Sequence, residues 1–292
     1  MSYLSIVVLA LGFALPATSA FPSLPTTAHV NAVSASAVQE AHNVYLGPDG
    51  EPLPFANDAA IMDFLRTADI IERTEIDTGI NHPWKLLMEK DGVRAHAIFR
   101  EVDIVKKNHR VGDIYFLFFR DSYAFDCAAY EMAVLLGMDN VPPAVLRTVR
   151  RTPGSVQLWV EETRRVDSAD FDPPKYLPWA KQLWTMFLFD ALIYNPDRNP
   201  GNLMVDDDYK LWLIDHGRGF QRKPDLFKIE QVPMVDRRIW ERLRELDEAT
   251  IRAALGDYLE SEQIASLMGR HRKLVDHINK LIEELGEESV LF

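Results

Sequence analysis

The chain has 292 residues, 47% hydrophobic and 26% charged, a soluble globular balance that can fill one large domain or two lobes and excludes disorder over most of its length. Its 32 basic and 44 acidic side chains leave a net charge of −12, which argues against a general nucleic-acid or anionic-membrane binder and leaves room only for a local basic patch. The single cysteine, Cys127, excludes an intrachain disulfide and a cysteine-built zinc site, and reads as a small buried apolar side chain.

Residues 1–39 contain no Lys, Arg, Asp or Glu. The apolar run 4–15 is stopped by Pro16 and followed by Ala17, Ser19 and Ala20, the layout of an export signal over 1–20. It is too short to span a bilayer comfortably. Secretion or periplasmic export is expected, with no stable membrane span once the signal is removed; the alternative is anchoring by an uncleaved N-terminal segment. Residues 21–57, rich in Pro, Ala, Ser and Thr without periodicity, read as a flexible lead-in.

The folded part divides into an N-terminal lobe, 58–161, and a C-terminal lobe, 162–292. A helix is expected at 58–67 and strands at 70–76, 84–89 and 93–101, the last two joined by the Lys90-Asp91-Gly92 turn of a hairpin. A helix follows at 122–136, capped by Asp121 or Ser122 and ended by Gly137, because Pro142-Pro143 forbids continuation. Strands are expected at 144–150 and 155–161. Past a Pro-containing connector, 167–178, the run 183–194 is apolar apart from Thr185 and Asp190 and predicts a helix buried nearly all round. Residues 195–201 form a loop, and 203–205 and 209–214 a small hairpin about Asp206-Asp207-Asp208, read as a solvated turn. Helical periodicity fills 236–284. The fold class is α+β, a strand-rich lobe with one helix joined to a mainly helical lobe. Trp159, Trp184 and Trp212 are expected in the core, and Arg270-His-Arg-Lys273 on a solvated helix face.

The chemistry concentrates in Tyr194-Asn-Pro-Asp-Arg-Asn-Pro-Gly-Asn202 and in Asp215-His216-Gly217 after the hairpin. A buried helix delivering a polar loop, with a hairpin returning a second carboxylate beside it, suits a divalent cation held through oxygens. Magnesium fits so sparse a donor set, because it keeps waters and takes further ligands from substrate phosphates. Phosphoryl transfer follows, one carboxylate orienting an acceptor hydroxyl while the other and the amide hold the metal. Arg198 reads as a structural tie to neighbouring carboxylates, and Asp190 as needing a partner if buried.

Asp197 with Asn202 five residues on, then Asp-X-Gly at Asp215, resembles the catalytic and metal-binding loops of the protein-kinase-like superfamily. The resemblance is to its atypical branches: secreted Golgi kinases, spore-coat kinases, HipA-type kinases and phosphoinositide kinases. It spans about residues 70–220 and implies a two-lobed kinase-like fold using ATP and Mg2+, with Mn2+ also possible. It further implies Asp197 as catalytic base and Asn202 and Asp215 as metal ligands. His216 stands where those kinases commonly have Phe.

In those kinases a helix Glu pairs with a strand Lys that grips the phosphates, and this chain departs at both positions. Arg100 matches the Lys and Asp126 the Glu; a longer cation and a shorter acid can offset one another and still close a pair. Glu131 lies about 140° round the helix from Asp126, so both cannot face one strand. Lys85 is the other candidate for the phosphate contact. Backbone groups at Val160, Glu161 and Glu162 would meet the adenine edge, and Gly79 with Asn81 would cover the phosphates in the absence of a full glycine loop. The expected activity is transfer of the ATP γ-phosphate to a hydroxyl acceptor on protein, glycan or lipid. The alternatives are a nucleotide-binding pseudokinase scaffold and an AMP transferase.

Overall fold

Alternation of apolar and polar residues builds most of the N-terminal lobe in the computed structural model, which describes residues 43–76 and 83–292. The expected export signal, the first part of the lead-in, and Gly79 and Asn81 lie outside the described residues. The rest of the lead-in is tied down rather than loose. Tyr45 is buried 5.6 Å from the Trp212 ring, and the Asn43 amide donates to the Asp139 carbonyl at 2.6 Å and accepts from Lys210.

Helix α1 (Asp58–Thr67) starts on the Asn57 side chain, which accepts from the Ala60 N–H. Strands β1 (Asp69–Glu75), β2 (Trp84–Lys90) and β3 (Val93–Arg100) follow; the expected hairpin turn is there, confined to Asp91 and Gly92 because Lys90 pairs with Val93. Between residues 101 and 122 no element was expected, yet β4 (Asp103–Val111) and β5 (Ile114–Ser122) form a separate two-stranded hairpin. Strand β4 is nearly all exposed and carries no inside-out alternation, whereas β5 supplies the hairpin's apolar footing, Phe116 and Phe119 against Tyr194.

Helix α2 (Ala124–Leu136) begins two residues later than predicted. Ser122 ends β5, and Asp121 turns into the cleft instead of capping. Gly137 closes the helix as expected, its φ of 68° being left-handed backbone that glycine adopts without cost. Strands β6 (Ala144–Val149) and β7 (Thr152–Leu158) complete a five-stranded antiparallel sheet of order β1-β2-β3-β7-β6. The β6–β7 turn falls at Arg150-Arg151, so β7 begins three residues before the expected 155. Pro153 is tolerated inside β7 because β3 pairs only from Ser155 onward.

In the second lobe β8 (Arg164–Arg165), unforeseen, extends the predicted hairpin of β9 (Leu203–Val205) and β10 (Leu211–Leu213). Helix α3 (Leu177–Ile193) starts earlier than predicted, with Pro178 in its first turn, where the missing N–H costs nothing. Its first turns are partly exposed and only its second half is buried. Helices α4 (Arg237–Glu245), α5 (Glu248–Leu255), α6 (Ser261–Leu285) and α7 (Glu287–Val290) finish the lobe.

The expectation of a solvated Arg270 is overturned: its side chain is completely buried. Its guanidinium donates to the carbonyls of Leu192 at 2.6 Å, Gln221 at 3.0 Å and Lys223, tying α6 to the end of α3 and to the chain beyond Asp215-His216-Gly217. Burial pushes its pKa down to about 9, which leaves it charged at neutral pH. The neighbouring His271 is buried as well, 2.7 Å from the Leu243 carbonyl.

Candidate active site

The largely buried second half of α3 delivers residues 195–202 as a loop held by side-chain hydrogen bonds. Asp190 near the helix end takes the Arg198 guanidinium in a fork, at 2.8 and 3.0 Å, and also accepts from the Asn195 amide at 3.2 Å. The remaining donor of Arg198 reaches the carbonyls of Asn202 at 2.9 Å and Ile214 at 2.8 Å. One guanidinium therefore holds both chemistry-bearing loops, the structural role expected of it, and supplies the partner Asp190 needs. A short 3-10 turn at Pro200–Asn202, closed by the Asn199 side chain on the Gly201 N–H, returns Asn202 beneath Asp197. The Asn202 amide donates to the Asp197 carbonyl at 3.2 Å.

Asp215 leaves β10 in left-handed backbone, φ 60°, unusual for a residue with a Cβ. Neighbours fix that conformation. The buried Asp126 carboxylate accepts the His216 N–H at 2.9 Å, and the Ser122 N–H donates to the Gly217 carbonyl at 2.8 Å. A Cβ on Gly217 would stand 2.9 Å from an Asp121 side-chain oxygen, so glycine leaves that carboxylate room at the end of β5. The His216 ring fills a buried apolar slot edge-on to Phe189, and neither ring nitrogen has a hydrogen-bond partner among the described residues. Burial pushes its pKa well below the ordinary 6.5, so it is neutral.

Asp197, Asn202 and Asp215 line one cleft of about 370 Å³ together with Arg100, Asp121, Asp126, Trp159 and Arg218. Arg100 lies between two carboxylates, hydrogen-bonded to Asp215 and with its Nε 3.8 Å from Asp126. The predicted swapped pair is thus in ion-pair range, but the guanidinium also reaches across to Asp215. Burial raises the Asp126 pKa, and Arg100 opposes the rise. Glu131 sits off this axis, its pKa raised by burial.

Lys85 does not line the cleft; its ammonium lies 4.4 Å from the centre of the Trp159 ring. Trp159, expected in the core, forms a wall of the cleft instead. Val160, Glu161 and Glu162 continue the chain beyond that wall, with the Glu161 carboxylate hydrogen-bonded to His96.

Two residues here were not foreseen. Arg218 donates to Asp121 at 2.9 Å and lies 3.0 Å from an Asp197 oxygen, so a cation sits on each of the carboxylates Asp197 and Asp215. Burial raises the Asp197 pKa and Arg218 holds it back. A lone arginine just past Asp-X-Gly, in so acidic a chain, was the available signal. Asp121 had one too, as an acid next to a helix start, but its side chain serves Arg218 and not the helix N-terminus.

Among the described residues no group of three or more His, Cys, Asp or Glu is arranged as a metal site. The oxygens of Asn202 and Asp215 suit a small hard cation only if water or phosphate completes its shell, which fits magnesium or manganese.

Lobes, loops and cleft together make a kinase-like fold. The model of one family, described as phosphatidylinositol 3- and 4-kinase, matches residues 150–245. The structure of hydra Fam20 with sugar superposes with a TM-score of 0.62 at 16% identity, covering 82% of this chain and 93% of that one. A crystal structure of the Golgi casein kinase with Mn/ADP bound gives a TM-score of 0.60 at 15% identity over 81% of this chain and 80% of that one. At such identities the likeness concerns the fold. Protein Rv2133c of Mycobacterium tuberculosis is 27% identical over 125 residues, 32% of this chain and 44% of that protein, so the match spans less than half of this relative.

Proposed function

We propose that the protein is a phosphotransferase that binds ATP with Mg2+, or Mn2+, in the cleft and moves the γ-phosphate to a hydroxyl acceptor on protein, glycan or lipid. The convergence of Asp197, Asn202 and Asp215 on one cleft carries this reading. Asp197 accepts the proton of the acceptor hydroxyl, a task helped by burial that makes it a stronger base than an exposed carboxylate. The acceptor oxygen bonds to the γ-phosphorus while the bond from that phosphorus to the β–γ bridging oxygen breaks, and ADP leaves with the electron pair. Asn202 and Asp215 hold the cation, which when bound neutralises phosphate charge. Arg100, backed by Asp126, grips the phosphates, Trp159 walls the base side, and backbone at Val160 to Glu162 meets the adenine edge. The export-signal layout of residues 1–20 supports work outside the cytoplasm.

The test is magnesium-dependent ADP release from ATP, with nucleotide binding followed by thermal shift. Asp197→Asn should keep binding and lose at least about 10²-fold in rate, and Asp215→Ala should lose both. Undiminished turnover in Asp197→Asn overturns the assignment. One observation favours a second reading, a nucleotide-binding scaffold: Arg100 and Arg218 already neutralise Asp215 and Asp197. Binding without ADP release in the wild type would select it. Mass spectrometry of a modified acceptor separates an added phosphate from the adenylate that an AMP transferase would leave.

A further inference from the structure

A second cavity, of about 380 Å³, opens in the N-terminal lobe among β1, the start of β2 and the far end of β6. It is not part of the cleft: the two share no lining residue. Its charged walls are Arg73, Arg147 and Arg150 against a single carboxylate, Glu72, with Trp84 and Thr148 completing the polar and aromatic lining.

Each arginine is placed by a different device. The Arg73 guanidinium carbon lies 3.3 Å from the Trp84 ring centre, and its Nε is buried without a hydrogen-bond partner. Arg147 donates to the carbonyls of Leu65 at 2.9 Å and Ala68 at 2.7 Å, at the C-terminal end of α1. Burial pulls its pKa down and Asp69 opposes the shift. Arg150 and Arg151 form the two-residue β6–β7 turn with φ of 48° and 73°. That geometry favours Asn-Gly, and a side chain larger than Asn costs about 1 kcal/mol at each such position. Two arginines occupy this turn against local backbone preference, and the first of them lines the cavity, the kind of rule-breaking that marks functional positions.

Among the described residues no carboxylate lies within ion-pair distance of Arg73, Arg147 or Arg150, although the chain carries a net charge of −12. Among the residues that line the cavity, guanidiniums outnumber carboxylates three to one. Guanidiniums lining one shared space suit a tetrahedral oxyanion, and an excess of two positive charges matches a dianion.

We propose that this cavity binds a phosphate monoester, held by Arg73, Arg147 and Arg150, at a site independent of the cleft and of the reaction assigned to it. The ester can be a free small phosphate or a phosphorylated side chain, and the test separates the two.

The full chain is titrated by calorimetry with O-phosphoserine, serine, and a phosphoserine peptide beside its unphosphorylated form. The titrations are repeated on the double variant Arg150→Asn with Arg151→Gly, which restores a favourable turn and leaves the cleft untouched. Phosphoserine should bind and serine should not, and the double variant should bind phosphoserine at least about tenfold more weakly while melting at a higher temperature than the wild type. Phosphopeptide binding tighter than that of phosphoserine identifies a protein-borne phosphate; equal binding identifies the free ester. Equal affinity of phosphoserine for wild type and variant, or no binding at concentrations up to about 10 mM, overturns the proposal.

Discussion

His216 and Arg270 show two opposite ways of burying a nitrogen base. Arg270 is fully enclosed and spends two of its three nitrogens on backbone carbonyls from two segments, so the enclosed charge is matched by dipoles rather than by an acid. Arg270→Met keeps the apolar stem and removes those donors, leaving three carbonyls to find other partners. A loss of about 2–4 kcal/mol is expected in urea unfolding, together with lower affinity for nucleotide because the chain beyond Asp215 loosens. An unchanged midpoint would show that those carbonyls are satisfied by water.

His216 has no such compensation. Its folded pKa lies below the ordinary 6.5, so as pH falls through that value the unfolded chain takes up a proton that the folded one refuses, and stability drops. Above 6.5 this contribution is fully present. His216→Phe, which removes two unpartnered nitrogens, should raise stability by about 1 kcal/mol near neutral pH and more as the pH falls below 6.5. Thermal melts of wild type and variant between pH 5 and 8 check both; a lower melting temperature for the variant would mean that the ring is hydrogen-bonded after all.

At the scale of elements, legibility in the sequence followed burial. The helix 58–67, the β2–β3 hairpin, the Gly137 stop and the β9–β10 hairpin announce themselves because each has one buried face or a turn with fixed backbone needs. The β4–β5 hairpin was invisible for the converse reason. In β4, Lys106, Asn108 and Arg110 put polar residues along one face and Lys107 puts another on the opposite face, and most of that strand's side chains face solvent. The start of β7 was set too late, at 155, because Pro153 and Gly154 are poor strand formers, whereas pairing against β6 and β3 decides the register. In the cleft, Asp197, Asn202 and Asp215 were readable from spacing, since a fixed loop and a short hairpin set where they go. Arg218 and Asp121 were not, because their roles depend on a contact between segments 97 residues apart.

Across the whole molecule the two lobes are joined by more than the chain crossing at Trp159. Strand β10 lies between two hydrophobic cores, and its alternation divides three consecutive residues between them. Leu211 and Leu213 pack with α2 and α3, while Trp212 packs with α1 and the five-stranded sheet. Beside it the Asn140 amide donates to the Leu211 carbonyl at 3.0 Å, and the Leu213 N–H donates to the Asn140 carbonyl at 2.9 Å. The strand that delivers Asp215 is therefore a structural member of both lobes, and the cleft cannot keep its geometry if either core loosens. Trp212 is buried between Tyr45 and the apolar residues of α1 and β2, with its indole N–H donating to Asp206 at 3.1 Å. Trp212→Ala should cost about 3–5 kcal/mol, and the cost should appear as one shifted transition with far-UV and near-UV circular dichroism coincident, since both cores share the strand. Two separated transitions, with the helical lobe melting at the wild-type temperature, would show that the lobes fold independently and that Asp215 is positioned by its own lobe alone.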